Sequence, residues 1–62
     1  MKVKVLIRNK SKEFFVSNFE LGNQNIELSS EKEEAQEFGE ITALYLQKEL
    51  LNNRDVRDVD IC

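Results

Sequence analysis

Residues 2 to 8, "KVKVLIR", alternate apolar and polar positions. Val3, Val5 and Ile7 share one face of an extended chain, and Lys2, Lys4, Leu6 and Arg8 share the other. That period, with β-branched residues on the apolar side, predicts a half-buried strand. The turn-forming Asn and Ser of "NKSK", residues 9 to 12, predict a hairpin loop. A second strand then runs through "EFFVSNFEL", Glu13 to Leu21. "GNQN", Gly22 to Asn25, reads as another turn, and Asn25 to Leu28 as a short third strand with Ile26 and Leu28 on one side.

Ser30 followed by Glu33 has the spacing of a capping box. Glu31, Glu33 and Glu34 suit the positive end of a helix dipole. Good helix formers continue to Leu51, where Asn52 and Asn53 provide a stop. Such a helix would be roughly 33 Å long at 1.5 Å per residue. "VRDVDIC" closes the chain as a fourth strand, with Arg57, Val59 and Ile61 alternating with Asp58 and Asp60. The predicted order is β-β-β-α-β. The fold class is α+β, a small antiparallel or mixed sheet of three to four strands with one helix packed on one face, and residues 1 to 62 form a single domain.

On a helical projection Ala35, Phe38, Gly39, Thr42, Ala43, Tyr45, Leu46 and Leu50 gather on the side that meets the sheet, with Ile41 at its margin. Ala35, Gly39 and Ala43 recur every four residues, which predicts close approach of the helix to another backbone. Leu44 and Leu51 lie on the opposite side, seven residues apart, aligned for a helix partner. The second strand carries more apolar surface than one helix covers. Either Phe14 with Val16, or Phe15 with Phe19 and Leu21, is left on the open face unless a β-bulge near Ser17 and Asn18 switches part of the strand.

Composition narrows how so small a domain is held together. At 62 residues, stability is marginal without a disulfide, a metal or a second subunit. The lone Cys62 cannot form an internal disulfide, and with no His the usual zinc spacings are absent. No cofactor is implied, and association with a second copy is the staple that remains. A 40% hydrophobic and 34% charged content fits a folded, soluble chain. No apolar run is long enough to span a membrane, and the polar start does not resemble a signal peptide, so the expected compartment is the cytoplasm.

Charge is lopsided. The first twelve residues carry five positive charges and no negative one, while the other fifty hold four basic and twelve acidic residues. The candidate nucleic-acid contacts are Lys2, Lys4, Arg8, Phe15 and Phe19, because cations track a backbone while bases stack on rings. The candidate partner interface is Leu6, Phe15, Phe19, Leu21, Leu44 and Leu51. Asp55, Asp58, Asp60 and Cys62 match no metal-loop spacing and read as solvated strand charges. Without a histidine, and with its one thiol at position 62, the chain lacks the usual base and nucleophile, so no enzymatic activity is expected.

The strand followed by "SSEKEEAQEFGEITALYLQKELL" and a closing short strand resembles small phage and prophage proteins of low-GC Gram-positive bacteria, with Ala35 and Phe38 three apart in an acidic, serine-capped helix. That resemblance covers the second half of the chain and implies an accessory or host-takeover role through binding a host protein. The leading expectation is a protein-binding module that forms a homodimer. Single-stranded nucleic-acid binding through the sheet is the alternative.

Overall fold

The computed structural model describes residues 1–22 and 25–62. Its elements are β1 (Val3–Ile7), β2 (Glu13–Asn18), β3 (Glu27–Ser29), a 3-10 turn (Lys32–Glu34), α1 (Glu40–Leu51) and β4 (Val56–Ile61). The four strands form one antiparallel sheet in the order β3-β2-β1-β4, with one helix: the fold is α+β. In the β1–β2 hairpin Asn9 takes φ 66°, a left-handed conformation that asparagine tolerates. Part of the turn expected at Gly22 to Asn25 falls on 23 and 24, outside the described residues.

Register explains which side chains are buried. Val5 lies opposite Phe14 on β2 and Val59 on β4, so these three share a face. α1 packs on that face over β4 and β1. Val3, Val5, Val16, Ala43 and Leu46 are fully enclosed there.

Two bulges aim further residues inward. Val16 pairs with Leu28 and Asn18 with Glu27, so Ser17 is the extra residue on β2, within the stretch where the sequence predicts a bulge. Past Ser17 the alternation resets, and Phe19 turns to the helix side, where it is 5% exposed. β2 therefore ends at Asn18 rather than Leu21, and the Phe19 N–H leaves the ladder to donate to Gln36 Oε1 at 2.9 Å. On β4, Leu6 pairs with Asp58 and Ile7 with Val56, making Arg57 the extra residue. The regular alternation expected of Arg57, Val59 and Ile61 with Asp58 and Asp60 is broken there. Val56 and Val59 are buried, Ile61 packs against the core, and Arg57 is exposed.

The long helix from Ser30 is also corrected. α1 begins at Glu40 and spans 12 residues, about 18 Å. Residues before it are extended because backbone partners elsewhere claim them. The Gln36 N–H donates to the Val16 carbonyl at 3.0 Å, the Phe38 N–H to the Met1 carbonyl at 2.8 Å, and the Met1 ammonium to the Phe38 carbonyl at 2.8 Å. Phe38 is thereby buried, with its ring edge-on to Phe19 at 6.5 Å. An extended residue advances about 3.3 Å against 1.5 Å in a helix, so these few residues cross the end of the sheet.

Ser30 caps nothing. The 3-10 turn has Glu31 at its N-cap with no side-chain cap bond, and just before it the Ser29 hydroxyl donates to Glu34 and accepts the Glu31 N–H. Gly39 is the N-cap of α1 at φ −70°, and a Cβ built there meets nothing within 4 Å. The expected close approach at a small-residue stripe does not occur. The C-terminal end follows expectation: Asn52 and Asn53 close the helix, with the Asp55 N–H donating to Asn53 Oδ1 at 2.8 Å.

Candidate binding surface

The second face of the sheet is less open than its sequence implies. Phe15 lies opposite Lys4 and Ser29, on the face away from α1, yet is only 6% exposed. It borders Ser30 and Glu31, and the 3-10 turn packs on β2 there. Phe15 and Phe19 are thus buried by the chain itself, on opposite faces, and offer no surface to a partner. Of the six residues expected at an interface, Leu6 is half-buried beside Glu13 and Asp58, while Leu21, Leu44 and Leu51 are exposed.

The basic and aromatic constellation is not assembled either. Lys4 Nζ sits 3.1 Å from Glu13 and 3.7 Å from Asp60, acids of the strands on either side. The hydrogen bond to Glu13, the charge of Glu13 and that of Asp60 hold the Lys4 ammonium above its ordinary pKa. Arg8, beyond the end of β1, donates through Nε to the Arg54 carbonyl at 3.0 Å. The basic column of β1 is therefore flanked by Glu13, Asp58 and Asp60, and the two phenylalanines that would stack bases are covered.

The outer edge of β4 is closed to strand addition at its centre. Lys2 and Cys62 exchange both backbone hydrogen bonds at 2.8 Å. By antiparallel alternation the N–H and C=O of Val59 then point away from β1. The Val59 N–H donates to Asp58 Oδ1 at 2.9 Å, and its carbonyl accepts from Gln47 Nε2 at 3.0 Å. Side chains thus occupy backbone groups that would otherwise pair with another strand.

A cleft of about 700 Å³ lies between the end of α1 and the hairpin, with Ile7, Ile26, Leu28 and Leu50 among its lining residues and Arg8 and Asp55 also on its walls. No polar side chain among the described residues is buried, so the polar groups of its walls, Arg8 and Asp55 among them, stay solvated. No group of three His, Cys, Asp or Glu among the described residues is placed to hold a metal ion. No helix of the described residues is long and apolar enough to cross a membrane.

The outward face of α1 is different. Ile41 is 83% exposed, Leu44 50% and Leu51 48%, with Lys48 exposed between them and Tyr45 at their flank. Comparison with family models, curated proteins and solved structures finds no match to this chain. The surface must be judged on its own chemistry. Tyr45 is not the inward residue expected: its ring stacks on Phe19 at 5.9 Å while part of it stays exposed. Ile41, expected at the margin of the inner side, points fully outward. The signal that finds both Ile41 and Lys48 is spacing, because 41, 44, 48 and 51 are separated by three, four and three residues, the pattern of a coiled-coil seam.

Proposed function

We propose that this chain is a non-enzymatic protein-binding module that works through the outward face of α1 and associates there with a second copy of itself. The observation that carries the reading is the exposure of Ile41, Leu44 and Leu51 along one line of a helix whose other side is fully engaged with the sheet. With Tyr45 they gather exposed apolar side chains on one side of α1, the chemistry a protein partner covers. A face this small would hold a partner weakly and reversibly. The absence of histidine and the exposed position of the single thiol favour binding over catalysis. An accessory role toward a host protein would use the same surface.

Sedimentation equilibrium from about 10 µM to about 1 mM, compared with Leu44→Glu, tests the reading across the affinities expected of small interfaces. The wild-type average mass should rise with concentration and the variant's should not, while circular dichroism shows both folded. A wild-type protein that stays monomeric throughout overturns the proposal.

A further inference from the structure

We draw no further inference here: the strongest candidate, the cleft of about 700 Å³ between the end of α1 and the β1–β2 hairpin, sets Asp55 beside Arg8 and Lys10 among apolar side chains, so its charges favour no one class of occupant and nothing in the structure shows what covers it.

Discussion

Phe19→Leu tests the bulge at Ser17 most directly. Regular alternation along "EFFVSNFEL" would put Phe15, Phe19 and Leu21 on one face. The extra residue instead sends Phe19 to the helix side at 5% exposure and leaves Leu21 at 65%. Burial of a phenylalanine contributes about 1.5 to 3 kcal/mol, of which a leucine retains the larger part. The ring contacts with Phe38 and Tyr45 add about 0.5 to 1.5 kcal/mol beyond area, and leucine loses them. The expected loss is therefore about 1.5 to 2.5 kcal/mol, against a total stability of roughly 3 to 9 kcal/mol for a domain of this length. Leu21→Ala should stay within about 0.5 kcal/mol of wild type. Urea unfolding followed by far-UV circular dichroism gives both values. Fluorescence of Tyr45, the single tyrosine, should change in Phe19→Leu because its stacked neighbour is gone. Equal losses in the two variants, or a loss below about 0.5 kcal/mol for Phe19→Leu, would refute the bulge as the device that buries Phe19.

Gly39→Ser should stabilise the protein by a few tenths of a kcal/mol, because the N-cap has open space for a hydroxyl that accepts a free helix N–H; a loss of about 1 kcal/mol or more in a urea titration would show that the position needs glycine. Glu37 accepts from the Met1 ammonium at 2.7 Å, and that bond, the ammonium's charge and Lys2 hold its carboxyl below the ordinary range. A carboxylate whose folded pKa is depressed stabilises fully above its unfolded value and loses that contribution as pH falls through the folded one. Glu37→Gln should therefore flatten the acid side of the stability curve below about pH 4.5 and leave the slope above it unchanged, as followed by thermal melts across pH.

Where local pattern and tertiary need agree, the sequence is a sufficient guide. β1 alternates cleanly and is a strand flanked on both sides; Asn52 and Asn53 stop the helix because no distant group competes for them. The pattern fails at residues 30 to 39. There the propensity for helix is genuine, worth tenths of a kcal/mol per residue. Against it stand the burial of Phe38 and the backbone bonds of Gln36 and Phe38 to Val16 and Met1, partners 20 and 37 residues away in sequence. Those partners are invisible to a short window. The same blindness hides Arg57, whose place outside the ladder is set by the pairing of Leu6 and Ile7 with Asp58 and Val56.

The position of the helix start also decides which surface is left over. A helix carried back to Ser30 would gather Phe38 and Gly39 into one inward stripe with Ile41 at its margin, and the excess of aromatics on β2 would leave the sheet uncovered. The crossing segment removes both consequences. It buries Phe38 separately, and the 3-10 turn that precedes it packs on β2 beside Phe15. The sheet therefore spends its apolar residues within the chain, on two faces, and its β4 edge is blocked at Val59 by Asp58 and Gln47. What stays outside is a short helix that is apolar on two sides. One side is explained by the core; the other, with Ile41, Leu44 and Leu51 around Lys48, suits a partner with a matching row of apolar residues and an acidic group near one end. The exposed apolar row is therefore on α1, while Phe15 and Phe19 beside the sheet are covered by the chain itself.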